Sequence, residues 1–221
     1  MTPSTESFAA LIPGDLLDRS GEVFYSGRAA FSTPSDVYLL GYNPGSDPSD
    51  QRLRTVRSSI DEVNGKPERF SLYYEAWEEG RDPKMQQGIR HMFDRTGLDP
   101  RLTPSSNCVF VRSKGASHLR DRRRLENACW PFHEAVISAL GVRLILCLGR
   151  NALSAVCRRL GTARQIDQHV EGNLRGWTSR AFEYDRGMVV VGLTHPSVVA
   201  WRSPASDPSG LVRRMLARVR T

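Results

Sequence analysis

Two loops carry the residues best suited to chemistry. In residues 37–48, VYLLGYNPGSDP, an apolar run breaks at GYNPG, and in residues 189–201, VVVGLTHPSVVAW, a second run breaks at THPS. Each loop presents one polar group, Asn43 and His195. An amide can orient a water or a polar edge by hydrogen bonding but is no strong base, whereas an imidazole can donate to a site where negative charge develops. The two lie about 150 residues apart. Both follow strand-like runs, and in open α/β sheets ligands sit outside the carboxyl ends of the strands, so the pair can face one pocket. The plainer reading of Asn43 is a turn residue bonding its own backbone before Pro44 and Gly45. Isolated histidines are commonly structural, and His91, His118, His133 and His169 read that way. His195 stands apart through its strand-end position and the following Pro196 and Ser197.

The elements that must position these loops follow from the apolar pattern. Residues 6–19 read as a short helix interrupted by Pro13 and Gly14, and residues 37–41 as a buried first strand. Residues 46–79 read as a long connection with an apolar and aromatic cluster of Phe70, Leu72, Tyr73, Tyr74 and Trp77. A helix over 84–95 is stopped by Thr96-Gly97. A second strand over 108–112 precedes a long helix over 119–140, where Leu125, Cys129, Phe132, Val136 and Leu140 recur on one face. A strand at 144–148, a helix at 151–160 closed by Gly161, a strand at 188–193 and a basic amphipathic helix at 211–220 complete the chain. Alternating strands and helices imply an α/β fold, a three-layer α/β/α sandwich around a central, mostly parallel four-stranded sheet, in a single domain over residues 1–221.

The chain has 221 residues, ample for one core of this kind. No stretch approaches the roughly 20 apolar residues of a membrane span, and the start, MTPSTESFAALIPG, lacks a basic region followed by an apolar run. A cytoplasmic monomer with no membrane association is the expectation. Lys+Arg number 31 against 24 Asp+Glu, a formal net charge of +7, and such a field draws a polyanion. An arginine-rich surface also explains the charge, since Lys66, Lys84 and Lys114 are the only lysines. The four cysteines, at 108, 129, 147 and 157, contain no CxxC pair, and Cys129 reads as a small buried apolar residue.

The two loops, taken in order with the segments between them, resemble the uracil-DNA glycosylase superfamily over most of the chain, from about Val37 to the last helix. GYNPG is similar to the water-activating loop of the single-strand-selective and mismatch-specific branches, which carry Asn where others carry Asp. THPS is similar to the second signature loop, whose His contacts the expelled base. SNCVFVRSKG resembles the pyrimidine-recognition strand, and NACWPFHEAVISALGVRLILCLGRNA resembles the helix, strand and Gly turn of the four-cysteine branch. Cluster-bearing members place paired cysteines near the N-terminus; this chain matches only Cys129, so no metal, cluster or other cofactor is expected.

The resemblance implies a monofunctional DNA glycosylase that flips a pyrimidine and hydrolyses its N-glycosidic bond, with DNA as partner. Asn43 would hold the attacking water against C1′, with Asp47 as a second or replacement activator, and His195 would donate to the pyrimidine O2. Gly41, Tyr42 and Gly45 would surround the base. Gly45 stands where uracil-only members place a Tyr that blocks a 5-methyl group, and it either opens the pocket to 5-substituted bases or merely permits the turn. The base-reading residue is Asn107 on one alignment, the preferred one, and Ser113 on the other. Tyr73 is a candidate stacking partner, although core packing is the commoner fate of a single aromatic. Ser46 and Ser197 would bind flanking phosphates, and Arg112 and Lys114 the DNA backbone. Arg120 and Arg122 to Arg124 form a basic run, which is also the ordinary look of a solvated helix face. Val198, Val199 and Trp201 would wedge into the duplex. The signature loops contain no Lys, which argues against a Schiff-base lyase step. Uracil is the default substrate, and a hypermodified pyrimidine of viral DNA, excised in antiviral defence, is the second choice. A non-catalytic DNA-binding or partner-binding protein on the same scaffold is the alternative of a different class.

Overall fold

A computed structural model describes residues 2–50, 54–80 and 82–221, except for the side chains of Ala76, Trp77 and Arg186. Its strands are β1 (Val37–Gly41), β2 (Ser105–Asn107), β3 (Leu144–Leu148), β4 (Arg164–Val170), β5 (Thr178–Glu183) and β6 (Val189–Leu193). The helices are α1 (Thr5–Ala9), α2 (Gly14–Leu17), α3 (Arg28–Ser32), α4 (Val56–Gly65), α5 (Leu72–Glu78), α6 (Lys84–Thr96), α7 (Arg122–Leu140), α8 (Arg150–Leu160) and α9 (Ser209–Arg220). The strands form one sheet in the order β2-β1-β3-β6-β5-β4. β2, β1, β3 and β6 run parallel, and β5 and β4 continue antiparallel.

The alternation of side chains along each strand divides the interior into two cores. Tyr38, Leu40, Ile145, Cys147 and Val190 face α7 and α8, where they meet Phe132, Val136, Leu140 and Val156. Val37, Leu39, Leu144, Leu146 and Val191 face the other way, against Ile89, Met92 and Phe93 of α6 and Leu211, Val212 and Met215 of α9. β1, β3 and β6 are buried at every position, as a parallel strand covered on both faces must be. Among the described residues no helix is long and apolar enough to cross a membrane.

The sheet departs from the expected four strands at both edges. The second strand is Ser105–Asn107, not residues 108–112. These polar residues stay buried because the covering segment satisfies them: Ser105 N donates to Ser26 Oγ at 3.0 Å, and Ser106 Oγ donates to Val23 O at 2.6 Å. That cover also closes the sheet edge. Cys108 to Val111 are core residues beyond the strand's end, where Cys108 N and Val109 N still donate to Gly41 O and Tyr42 O, each at 2.9 Å. At the opposite edge the β4–β5 hairpin has no counterpart in the sequence reading, because the RQIDQHV strand is mostly half-buried or exposed and lacks an apolar alternation. The 46–79 connection is itself partly helical, holding α4 and α5.

Buried thiols and a buried ring fill the core between the sheet and α7. Burial pushes the Cys129 thiol up to about 12. His133, fully buried, bonds the Tyr38 hydroxyl at 2.9 Å through Nδ1, and desolvation lowers its pKa to about 3. The basic face of α9 is occupied internally: Arg214 pairs with Asp167 at 2.7 Å and Arg218 with Glu183 at 2.6 Å.

Candidate functional site

The loops after β1 and β6 and the end of β2 open on one cavity of about 630 Å3 at the carboxyl end of the parallel strands. Asn43, Asn107 and His195 all line it, as do Gly41, Tyr42, Gly45, Ser46, Tyr73 and Ser197.

Asn43 is oriented by its own amide nitrogen. The two N–H groups of Nδ2 are shared among Pro44 O at 3.0 Å, Val111 O at 3.3 Å and Ser113 Oγ at 2.8 Å. Two of these partners are carbonyls, which only accept, so the nitrogen must face them and the amide cannot flip. Ser113 Oγ in turn donates to Gly115 O at 2.9 Å, which leaves its lone pair to receive Asn43. The Oδ1 atom of Asn43 has no donor among the described residues, and it is the acceptor left to hold a water or a polar ligand edge. Ser113 is therefore a positioning residue behind Asn43. Of the two expected base-reading candidates, Asn107 lines the cavity and Ser113 does not.

Asn107 ends β2 beside Gly41, and a Cβ on Gly41 would collide with Asn107 Oδ1. The glycine thus makes room for the amide. Asn107 is buried, and its Nδ2 has no hydrogen-bond partner among the described residues. An unpaired buried donor costs roughly 1–3 kcal/mol, and a ligand acceptor brought to it would recover that cost.

His195 has a defined tautomer. Ser197 N donates to its Nδ1 at 3.2 Å, and Ser197 Oγ lies 2.7 Å from the same atom. A backbone N–H can only donate, so Nδ1 is an acceptor and the ring proton sits on Nε2. Burial lowers the ring's pKa, which keeps it neutral with one N–H to give. The ring lies against Gly149, whose φ of 86° strains any side chain and whose added Cβ would sit 3.1 Å from the imidazole. Trp201 Nε1 donates to Thr194 O at 3.0 Å, pinning the loop from below.

Gly45 is exposed, is not left-handed, and a Cβ added there meets nothing within 4 Å. The turn does not demand a glycine. The next residue bears the strain: Ser46 holds φ at 98°, a region that side chains rarely occupy and that collects at functional sites.

Other expected site residues lie elsewhere. Asp47 is outside the cavity, in a separate hollow of about 450 Å3. It pairs with Lys114 at 2.8 Å, and that bond first, then the Ser49 N–H, holds its carboxyl down to about 2. It has no place as a water activator for the cavity. Arg112 is largely buried beside Glu22 at 3.7 Å and donates to Gly45 O at 2.8 Å. It clamps the loop and does not face outward to a DNA backbone. Tyr42 commits its hydroxyl to Glu126 at 3.0 Å. Val199 and Trp201 are fully buried and cannot wedge into a duplex; Val198 alone of that trio is exposed. Of the aromatic cluster, Tyr73 reaches the cavity, Phe70 packs at the core edge near Lys66, and Tyr74 lies under Arg101 at 4.4 Å. Trp77's side chain is outside the described residues.

Sequence reasoning missed Tyr25 and Gln86. Tyr25 stacks on Tyr73 with centroids 6.0 Å apart and planes 28° apart, forming an aromatic wall. Its only signal was an apolar run, Val23 to Tyr25, belonging to no strand. Gln86 lines the cavity with a buried, unpartnered Oε1, and nothing in the helical pattern around it marks it. Arg150 and Asn151, at the start of α8, complete the rim. No protein-family model matches the chain, and no curated protein matches it.

Proposed function

We propose that the protein is a monofunctional DNA glycosylase that takes a flipped pyrimidine into this cavity and hydrolyses its N-glycosidic bond. The observation that carries the proposal is the convergence on one cavity of a fixed acceptor, Asn43 Oδ1, a fixed donor, His195 Nε2–H, and an unpaired amide donor, Asn107 Nδ2. Water held on Asn43 Oδ1 attacks C1′ as the bond to the base breaks. The water's oxygen becomes the new sugar hydroxyl, and its proton leaves to solvent. Charge gathering on the departing base is met at O2 by His195, a donor already in place. Asn107 Nδ2 fits a keto oxygen at the 4-position, and the Tyr25–Tyr73 wall offers a face for the ring.

Uracil is the simplest base that fits. The open space at Gly45 favours a second substrate class, pyrimidines carrying a 5-substituent. Such an activity would suit excision of hypermodified bases from viral DNA.

Oligonucleotides with one uracil, one mismatched thymine or one 5-substituted pyrimidine, assayed for abasic sites in single- and double-stranded form, test the proposal. Release of at least one base is expected. If every base stays in place while the oligonucleotides bind, the scaffold is a non-catalytic DNA-binding protein. Gly45→Tyr should remove action on 5-substituted bases and spare uracil. Equal retention of both activities would reduce Gly45 to a turn residue.

A further inference from the structure

Most of the large exposed apolar side chains gather about a hairpin tip that is hydrogen-bonded to the His195 loop. Among the described residues the large exposed hydrophobics are Leu102, Val170, Leu174, Trp177 and Val198. All but Leu102 belong to the closed tip of the β4–β5 hairpin or to the His195 loop. Leu174 is the extreme case, with a relative exposure of 109%. A large apolar residue held wholly in water is informative where a scattered half-exposed one is not.

The loop of residues 171–177 is built to hold Leu174 out. Asn173 Oδ1 accepts from Arg175 N at 2.9 Å, and Asn173 Nδ2 donates to Glu171 Oε2 at 2.8 Å. Glu171 N donates to Trp177 O at 2.8 Å, closing the loop, and Gly172 N donates to Ala205 O at 2.7 Å. The Arg175 guanidinium lies over the Trp177 ring at 4.8 Å. The same guanidinium joins the tip to the candidate site: Nη1 donates to Val198 O at 3.3 Å, three residues past His195. Thr194 N donates to Ser179 Oγ at 3.0 Å, which ties β5 to the start of the His195 loop.

Resting on the glycosylase reading above, we propose that this loop is a DNA-penetrating element. It inserts Leu174 into the base stack beside the flipped nucleotide, with Val198 filling in from the His195 loop. A flipped base leaves a gap in the stack, and protruding apolar side chains fill such gaps in other DNA-bending and base-extruding proteins. Double-stranded DNA is the occupant the surroundings favour. The apolar apex stands wholly in water, Arg150 rims the cavity and offers a charge for a phosphate, and Arg175, paired with Glu171 at 3.6 Å, serves to hold the apex to the His195 loop. The ridge is hydrogen-bonded through Arg175 to the loop that carries His195.

Leu174→Ala tests this without disturbing the fold, since the side chain has no packing to lose. Single-turnover base release should fall about tenfold or more from duplex DNA and stay within about twofold of wild type on the same strand unpaired. A second reading needs no catalysis: 2-aminopurine beside a tetrahydrofuran abasic analogue in a duplex should brighten on binding wild type and not on binding Leu174→Ala. Brightening that depends on Leu174 without base release from any substrate supports insertion and removes the glycosylase reading. Base release with equal duplex rates for wild type and variant, and equal brightening, overturns insertion and leaves the glycosylase reading standing. A change of oligomeric mass in Leu174→Asp with unchanged duplex binding also overturns it, by making the ridge a contact between copies of the chain.

Discussion

The loop after β1 and the loop after β6 each aim one polar group at the cavity, but they hold it by different means. Asn43 is fixed through its own side chain, by three acceptors gathered around Nδ2. His195 is fixed by the backbone that follows it and by core residues sunk beneath, with Trp201 bonded to Thr194 O. The first arrangement contains no titratable atom. The second depends on an imidazole staying neutral, since a proton on Nδ1 would confront the Ser197 N–H. One wall of the site should thus be indifferent to pH and sensitive to hydrogen-bond partners, and the other sensitive to pH and to core packing.

The largest effect expected from breaking this comparison is at Trp201. Trp201→Ala removes a fully buried indole and should cost about 3–5 kcal/mol of stability, measured by denaturant unfolding. A variant as stable as wild type but defective on duplex DNA would return Trp201 to the wedge role. Next comes His195→Ala, which should lower single-turnover base release by an amount equivalent to about 2.7–4 kcal/mol with little change in affinity for DNA. Loss of binding with an unchanged rate would show that the ring only supports the loop.

The acid response separates the walls further. Unfolded histidine protonates near pH 6.5, and burial holds His195 below that and His133 down to about 3. Between those values the unfolded chain binds protons the folded one refuses, so stability is complete above about pH 6.5 and falls as pH drops. Unfolding free energies from pH 8 to 4 should show this decline, and its loss in His133→Phe would assign the larger share. An activity limb falling below pH 6.5 that vanishes in no His195 variant would place the titrating group elsewhere. The smallest effect is at Ser113: Ser113→Ala removes one of Asn43's three acceptors and should slow base release by about 1 kcal/mol, several-fold, at every pH. A pH-dependent loss would contradict the positioning role.

These assignments show which parts of the molecule the sequence made legible. β1, β3 and β6 could be read because strands covered on both faces are uninterrupted apolar runs. β2 could not, because its serines are buried by partners from residues 20–26 that no local pattern reveals. β4 was hidden by its exposure. Asn43 and His195 stood out where apolar runs break into loops, Asn107 was singled out only through the family resemblance, and the structure brings all three to one cavity. Arg112, Ser113 and Asp47 were misassigned because composition marks a polar group but not its partner: each is turned to Gly45 O, Asn43 or Lys114. Val199 and Trp201 were ambiguous for the opposite reason, since an apolar residue after a loop suits a wedge and a core equally. Tyr25 and Gln86 reach the cavity only through tertiary folding.

The central claim is that Asn43, by its oriented Oδ1, holds the water that releases a pyrimidine. The most direct measurement compares wild type with Asn43→Ala, enzyme in excess, on an oligonucleotide carrying a base the wild type removes, with free base and abasic strand quantified together. The account predicts release by wild type and a loss of roughly 10²- to 10⁴-fold in the variant, the range a positioned catalytic group supplies, at nearly unchanged DNA affinity. Release by Asn43→Ala at the wild-type rate, or a variant that fails only because it no longer binds DNA, would contradict it.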